Sequence, residues 1–142
     1  GPYLIHCNEG KDRAGFVSAI LECLMGATLD EVIDDYMETY YNYYGVEKGS
    51  EKYDAIVNNN LIKVLNTTFK VTDIHKADLG AEAEAYLTED VGLTADEVST
   101  LKAKLGKKPE FVDGLRGKAL FCGNFIPVEL GIPNNRILSK LH

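Results

Sequence analysis

A short polar segment near the start of the sequence carries residues that together could act on a phosphate group. Cys7 and Arg13 lie at its two ends, and none of the five residues between them has an apolar side chain. A thiolate is a strong nucleophile, and the planar guanidinium of an arginine can hold two phosphate oxygens at once. Gly10 lets the backbone turn so that successive N–H groups converge on one anion. The segment therefore supplies a nucleophile and an oxyanion cradle for one phosphoryl group.

The elements on either side would position this segment at the beginning of a helix. The apolar run Tyr3-Leu4-Ile5 precedes it and predicts a short buried strand. A helix is predicted to begin near Arg13 or Ala14, because apolar residues then recur at helical spacing: Phe16, Val17, Ile20, Leu21 and Leu24. The first N–H groups of a helix lack intrahelical partners, and the helix dipole favours negative charge there. Such a place suits a phosphate and lowers the pKa of a cysteine thiol.

Two other interpretations of the segment are weaker. A lone cysteine is often a small buried hydrophobic residue, but the spacing to Arg13, the glycine and the helix that follows favour a phosphate loop for Cys7. The letters "EGKD" also contain the Gly-Lys pair of a nucleotide-binding loop. However, Asp12 stands where that loop needs a serine or threonine, and Ile5 stands where it needs its first glycine.

The motif "HCNEGKDRAG" resembles the H-C-x5-R signature of the protein tyrosine phosphatase superfamily, and most closely the atypical bacterial branch with HCxxGKDRTG. A later stretch, "AYLTEDVGLTADEVSTLKAKL", is similar to the C-terminal end of the same phosphatases. Ala14 departs from the pattern, since the family has threonine or serine there. The chain thus looks like the C-terminal part of such a domain, without the strands that precede the signature. The positions that match the signature are His6, Cys7, Gly10, Lys11, Asp12, Arg13 and Gly15.

The resemblance implies a role for each residue of the loop. Cys7 would be the nucleophile that forms a phosphocysteine, and Arg13 the phosphate clamp. Asp12 is a candidate general acid, with compensation of the helix dipole as an equally weighted alternative. His6 would orient the loop or tune the thiolate, and Lys11 would favour substrates with a second anionic group. The remaining predicted substrate-binding residues are Asn8, Glu9, Gly10, Ala14 and Gly15.

The leading functional hypothesis is therefore a cysteine-dependent phosphomonoester hydrolase, an enzyme that acts on phosphorylated protein or a phosphoinositide. The alternative is a phosphate-binding or interaction module, or an inactive fragment of such an enzyme. Ala14 motivates the alternative, as does the missing N-terminal half, because both remove groups that assist turnover. No cofactor is expected, and no metal site, since His75 and His142 form no cluster with any cysteine.

Composition limits the partners and the compartment. The net charge of −7 argues against nonspecific binding of nucleic acid. No transmembrane segment is expected, since no long apolar run is present. Three widely spaced cysteines do not indicate a disulfide framework, and a thiolate nucleophile needs a reducing compartment. We therefore expect a cytoplasmic protein, with secretion left open because the native N-terminus is not assured.

The 142 residues suit one domain of the α/β cysteine-phosphatase type, dominated here by about five helices. Residues 1–105 would be the phosphatase-like part, with the phosphate-binding loop at 6–14. Residues 106–142 would be a tail that contains Gly and Pro, with one or two short strands within 118–128. Gly26 predicts the end of the first helix, and capping boxes are predicted at Thr28 with Glu31 and at Thr94 with Glu97.

Three further helix predictions concern the middle of the chain. Ser50 is expected to cap a third helix that the asparagines at 58–60 weaken, and a fourth helix is predicted from about Ile74 to Leu87. The second helix carries an apolar stripe that we interpret as core: Leu29, Val32, Ile33, Tyr36, Met37, Tyr40, Tyr41 and Tyr44.

Overall fold

The computed structural model describes residues 5–106, and these form a helical assembly. Six α-helices are present: α1 (Arg13–Leu24), α2 (Leu29–Tyr44), α3 (Glu51–Ile56), α4 (Lys63–Thr68), α5 (Leu79–Ala85) and α6 (Ala95–Leu105). A π-helical segment, Val57–Ile62, joins α3 to α4, and a second, Tyr86–Asp90, extends α5. Because α3 and α4 are continuous through the first π-helical segment, the six α-helices form five continuous helices, the number predicted from the sequence.

No strand occurs within residues 5–106, so the α/β part of the predicted fold class is not seen there. Ile5, the last residue of the predicted first strand, has no strand structure, and Tyr3 and Leu4 lie outside the described residues. The predicted tail at 106–142 and its short strands lie outside them as well, apart from Gly106.

Local capping signals fix most of the helix ends. Thr28 begins α2 with a capping box, in which its N–H donates to Glu31 Oε2 at 2.8 Å and its Oγ1 accepts from the N–H of Glu31. Thr94 and Glu97 repeat this arrangement at the start of α6. Gly26 follows α1 with a φ of 85°, a left-handed conformation that glycine adopts without strain. These three predictions are confirmed.

The asparagines at 58–60 change the helix rather than end it. The side-chain amide of Asn58 donates to the carbonyl of Asp54 at 2.8 Å, and that of Asn59 donates to the carbonyl of Ala55 at 2.9 Å. Side chains that bond the carbonyl four residues earlier compete with the backbone ladder. The chain here takes π-helical geometry, a form that is often found at functional sites.

The predicted fourth helix begins later than the sequence pattern indicated. Ile74–Lys76 form a turn of 3₁₀-helix instead, with the N–H of His75 donating to the Asp73 side chain. Asp78 then accepts a hydrogen bond from the N–H of Ala81 and so caps α5, which starts at Leu79. The chain was predicted to enter one helix near Ile74, but it forms two short helical segments, each with its own side-chain cap.

The core forms where α1 packs against α5 and α2. The tyrosine stripe of α2 divides between core and surface, so its interpretation as core is only partly right. Tyr36 and Tyr40 are buried, whereas Tyr41 is 55% exposed and Tyr44 is 48% exposed. The largest side chains that are fully buried within residues 5–106 are Leu61, Leu65, Ile74, Val32, Val98 and Cys23.

Gly15 allows α1 to approach α2 closely, which predicts a stability effect. A Cβ at this position would lie 3.0 Å from Cε2 of the buried Tyr36 ring. Overpacking of this kind costs about 1–3 kcal/mol, and the better helix propensity of alanine returns at most about 1 kcal/mol. We therefore expect Gly15→Ala to lower the free energy of unfolding by about 1 kcal/mol in urea denaturation.

Gly80 provides the matched control, because it also lies in a helix but has room for a methyl group. The nearest atoms to its Cβ would be Asp78 Oδ1 and the Cys23 carbonyl, both at 3.6 Å. Gly80→Ala should leave the stability unchanged or raise it. Equal stability of Gly15→Ala and wild type would contradict the close-packing argument.

Candidate active site

The polar segment enters α1 directly. Asp12 occupies the position before the helix, and Arg13 is its first residue. Gly10 is buried and has a φ of 73°, so the backbone turns inward at the position where the sequence predicted that it would. The side chain of Asp12 makes no capping hydrogen bond to the helix, and α1 has no acidic residue in its first turn. The positive end of α1 therefore lies beside the segment without a carboxylate cap.

Backbone N–H groups of the loop and of the first turn of α1 act on the thiol of Cys7. The N–H of Ala14 has the largest effect and lowers the pKa of the Cys7 thiol. Partial burial opposes it, and the N–H groups of Gly10, Glu9 and Arg13 lower the pKa further. Cys23 shows the contrast, because burial within the core raises the pKa of its thiol to about 12. Of these two thiols, only Cys7 is held in surroundings that favour a thiolate.

The predicted phosphate clamp, Arg13, is exposed at the start of α1. Its guanidinium forms no ion pair with any carboxylate among residues 5–106. An arginine in this position can place two donors on an anion held at the N–H groups around Cys7. The role of Arg13 as the phosphate clamp stays a prediction.

Lys11 is bound by its own loop. Its Nζ lies 2.7 Å from Glu9 Oε2 and 3.0 Å from Asp12 Oδ2, and its side chain is only 16% exposed. The same ammonium lies over the rings of Tyr40, at 5.7 Å, and Tyr44, at 5.8 Å. The bond to Glu9, followed by that to Asp12, raises the pKa of Lys11. A second anionic group on a substrate would have to compete with both carboxylates for this cation.

Two residues that the sequence analysis did not associate with the loop, Tyr40 and Tyr44, make contact with it, and a third, Asn60, contacts Tyr40. The hydroxyl of Tyr40 donates to Asp12 Oδ1 at 3.0 Å, and the side-chain amide of Asn60 donates to the Tyr40 oxygen at 3.0 Å. The hydroxyl of Tyr44 donates to Glu9 Oε2 at 3.0 Å. The only signal in the sequence is the spacing of Tyr40 and Tyr44, which puts them on one face at the end of α2.

The remaining predicted residues divide into exposed and packed positions. His6 and Asn8 are exposed beside Cys7, whereas Ala14 is buried in the first turn of α1. Gly15 faces the ring of Tyr36, so close helix packing explains this glycine. Both carboxylate oxygens of Asp12 accept hydrogen bonds, from Tyr40 and from Lys11.

Other features of the described residues do not add to this site. A cavity of about 360 Å³ lies at the other end of α1, and residues such as Ala27, Ile74 and Leu79 line it, but no loop residue does. No group of three possible metal ligands occurs between residues 5 and 106. None of the helices in that range has the length and the apolar character that crossing a bilayer requires.

Comparison with known proteins identifies the family. A family described as the tyrosine phosphatase family matches residues 1–107, a range that includes the loop and all six helices. Searches among curated proteins and among solved structures found no significant match. Because the match covers more than half of the 142 residues, the chain belongs to the tyrosine phosphatase family.

Proposed function

We propose that the protein is a phosphomonoester hydrolase in which Cys7 is the nucleophile. Membership of the tyrosine phosphatase family supports phosphatase activity in general. The observation that carries the specific proposal is the set of N–H groups around Cys7 at the start of α1, with Arg13 beside it. These groups favour the thiolate, and the same groups suit the oxygens of a phosphate placed over the sulfur.

In the first step of the proposed reaction, the Cys7 thiolate attacks phosphorus. A sulfur–phosphorus bond forms, the ester oxygen leaves with its bonding electrons, and that oxygen takes up a proton. The loop N–H groups and Arg13 hold the other phosphate oxygens. In the second step, water attacks the phosphocysteine, loses a proton and releases inorganic phosphate together with the thiolate.

Asp12 is the candidate proton donor to the leaving oxygen among the loop residues. Its carboxylate lies within the loop but accepts hydrogen bonds from Tyr40 and Lys11. Acting as the acid would require one of these bonds to break when the substrate binds. The alternative role, compensation of the α1 dipole, needs no hydrogen bond and is compatible with the place of Asp12 directly before the helix.

The proposed substrates are phosphorylated proteins or phosphoinositides in the cytoplasm, with the phosphate in the loop. Membership of the family implies phosphorylated substrates in general. His6 and Asn8 lie at the exposed side of Cys7, where the rest of a substrate would pass. We propose these two residues as contacts to it, together with Glu9 and Lys11.

A phosphate-binding module that does not turn over is the second candidate. Ala14 favours it, because this buried methyl group offers no hydroxyl to the thiolate at the position where related loops have one. Binding needs only the N–H groups and Arg13, whereas hydrolysis also needs a proton donor and an attacking water. The two candidates therefore differ in turnover and agree in the binding of oxyanions.

Alkylation by iodoacetate tests the proposal and separates the candidates. We expect Cys7 to react at a pH below the range in which a free thiol such as N-acetylcysteine reacts, because its pKa is lowered. Cys23 should stay unlabelled in the folded protein, since it is fully buried. Mass spectrometry would locate the label, and p-nitrophenyl phosphate hydrolysis would be followed in the same samples.

Each outcome has a defined meaning. Hydrolysis that vanadate inhibits, and that disappears in proportion to the alkylation of Cys7, supports the enzyme. Vanadate that protects Cys7 in a protein without hydrolytic activity supports the binding module. A labelling midpoint at or above that of N-acetylcysteine, with no protection by vanadate, contradicts both candidates.

A further inference from the structure

Tyr40 makes the most direct connection between the helical core and the candidate phosphate loop. Only 5% of Tyr40 is exposed, yet its hydroxyl reaches out of α2 to donate to Asp12 Oδ1 at 3.0 Å. A hydrogen bond to a carboxylate is stronger than one between neutral groups. Because the Tyr40 ring is packed in the core, this hydrogen bond attaches the polar loop to the core.

Asn60 fixes the hydroxyl of Tyr40 from behind, and Tyr36 packs against its ring. The amide of Asn60, within the π-helical segment Val57–Ile62, donates to the Tyr40 oxygen at 3.0 Å. The ring of Tyr36 lies beside that of Tyr40, with 5.6 Å between the centroids, and the Tyr40 hydroxyl adds to burial in raising the pKa of Tyr36. With the Asn60 amide bound to its oxygen, Tyr40 has its own proton directed at Asp12.

The residues that are held in this way also build the surroundings of Cys7. Asp12 directly precedes Arg13 and Ala14, and the N–H groups of these two residues lower the pKa of the Cys7 thiol. On the other side of the loop, the hydroxyl of Tyr44 donates a hydrogen bond to the side chain of Glu9. The backbone N–H of Glu9 also lowers the pKa of the Cys7 thiol. The hydrogen bonds that hold the side chains of Asp12 and Glu9 therefore also keep the neighbouring backbone N–H groups directed at the sulfur of Cys7.

The ordinary explanation of these contacts is incidental helix–loop packing, but two observations argue against it. Surface ion pairs contribute little to stability, yet Lys11 is only 16% exposed between its two carboxylates and the tyrosine rings. In addition, the carboxylate of Asp12 is directed to Tyr40 and Lys11 and makes no capping hydrogen bond to the adjacent helix terminus, where the N–H groups of Arg13 and Ala14 act on Cys7 instead.

We propose that Tyr40, supported by Asn60, is a positioning residue that holds Asp12 and with it the loop backbone in the conformation that binds a phosphoryl group. This inference rests on the proposed function, because it assigns Tyr40 a part in the same site. The hydrogen-bond partners of the Tyr40 hydroxyl are Asp12 and Asn60, and neither of these is the proposed nucleophile. Tyr40 acts through Asp12.

Tyr40→Phe tests the proposal, because it removes the hydroxyl and keeps the buried ring. A loop that is misplaced by about 1 Å can cost about 100-fold in rate, so we expect a 10- to 100-fold loss in kcat/KM for p-nitrophenyl phosphate. We also expect weaker binding of inorganic phosphate. The midpoint of iodoacetate labelling at Cys7 should rise toward that of N-acetylcysteine, a change that a general loss of stability would not produce.

Tyr53→Phe is the matched control. Tyr53 is also a buried tyrosine, only 8% exposed, but its hydroxyl has no hydrogen-bond partner among the described residues. Removing that hydroxyl should leave kcat/KM and the labelling midpoint of Cys7 unchanged.

Asn60→Ala gives a second, independent variant. Because Asn60 acts only through the Tyr40 hydroxyl, it should change kcat/KM in the same direction as Tyr40→Phe by a smaller factor, and the double variant should be no worse than Tyr40→Phe alone. Multiplicative effects of the two substitutions would overturn the proposal.

Failure of this inference is distinguishable from failure of the proposed function. Wild-type values of kcat/KM, phosphate affinity and labelling midpoint in Tyr40→Phe would overturn the positioning role, while hydrolysis that depends on Cys7 in the wild type would keep the enzyme proposal. If the wild type does not hydrolyse the substrate, the enzyme proposal fails. The labelling midpoint in Tyr40→Phe then still decides the positioning role.

Discussion

Replacing Cys7 with serine is expected to reduce hydrolysis of p-nitrophenyl phosphate to the uncatalysed background. Removal of a catalytic nucleophile costs about 10⁴-fold or more in kcat, and the sequence offers no second thiol at the loop. The physical reason is that sulfur is ionised at this position and the oxygen of a serine is not. The N–H groups around Cys7 stabilise a thiolate, whereas a serine hydroxyl in the same place has a far higher pKa than a thiol and keeps its proton.

Binding of an oxyanion should survive the same substitution. The loop N–H groups and Arg13 are unchanged in Cys7→Ser, and they account for the affinity by charge and geometry. Isothermal titration with vanadate or inorganic phosphate would measure the affinity beside the kinetic assay. Loss of turnover together with retained binding therefore distinguishes a missing nucleophile from a collapsed loop.

Cys23→Ala serves as the control for the loss of a thiol. Cys23 lies in α1 but is fully buried, and burial raises the pKa of its thiol to about 12. We expect wild-type kcat in this variant, at some cost in stability from the small cavity. Hydrolysis by Cys7→Ser at the wild-type rate would contradict the assignment of the nucleophile.

Features of the fold that depend on a few neighbouring residues were predictable from the sequence. Each capping box joins residues only three positions apart, and the stop at Gly26 is read from a single residue. The polar loop belongs to the same class, since Cys7 and the N–H groups around it lie within eight consecutive residues, 7–14. Local chemistry determines such features whatever the rest of the chain does.

Contacts between distant elements could not be predicted in this way. Tyr40 and Asp12 are 28 positions apart, and Asn60 and Tyr40 are 20 apart. Whether they meet depends on how α2 is rotated against the loop and on the π-helical geometry around Asn60. The apolar spacing in α2 predicted both Tyr36 and Tyr44 to be core residues. Tyr36 is buried, whereas Tyr44 is 48% exposed and hydrogen-bonded to Glu9. Periodicity predicts which residues lie on the same face of a helix, but the packing of neighbouring elements determines how many of them are buried.

A buried carboxyl group in α1 leads to the last prediction, a stability that falls as the pH rises. Glu22 is only 6% exposed, and its Oε2 has no hydrogen-bond partner among the described residues. The carboxyl group of Asp35 in α2 interacts with that of Glu22, and burial is the main cause that raises the pKa of both groups. The exposed Glu38 adds negative charge near Asp35 and raises its pKa further. The pair therefore retains a proton at pH values where both groups would be ionised in the unfolded chain.

The sign follows from linkage. A carboxyl group whose pKa is raised in the folded state contributes most stability below its unfolded pKa, about 4 for Asp and Glu, and loses that contribution as the pH rises toward the folded pKa. One retained proton gives a slope of up to about 1.4 kcal/mol per pH unit. Glu22→Gln should flatten this slope between pH 5 and 8 and raise the stability at pH 8, because the amide can donate to Asp35 as the protonated acid does.

Urea denaturation at pH 5, 6, 7 and 8 would measure the slope in wild type, Glu22→Gln and Glu47→Gln. Glu47 is exposed, so its substitution is the control for the loss of one negative charge and should leave the slope unchanged. Cys7 contributes with the opposite sign, since its folded pKa is lowered, but it is present in all three proteins and cancels in the comparison. Identical slopes in wild type and Glu22→Gln would mean that the pair is ionised in the folded protein, in which case removing one buried charge should instead raise the stability by a similar amount at every pH in this range.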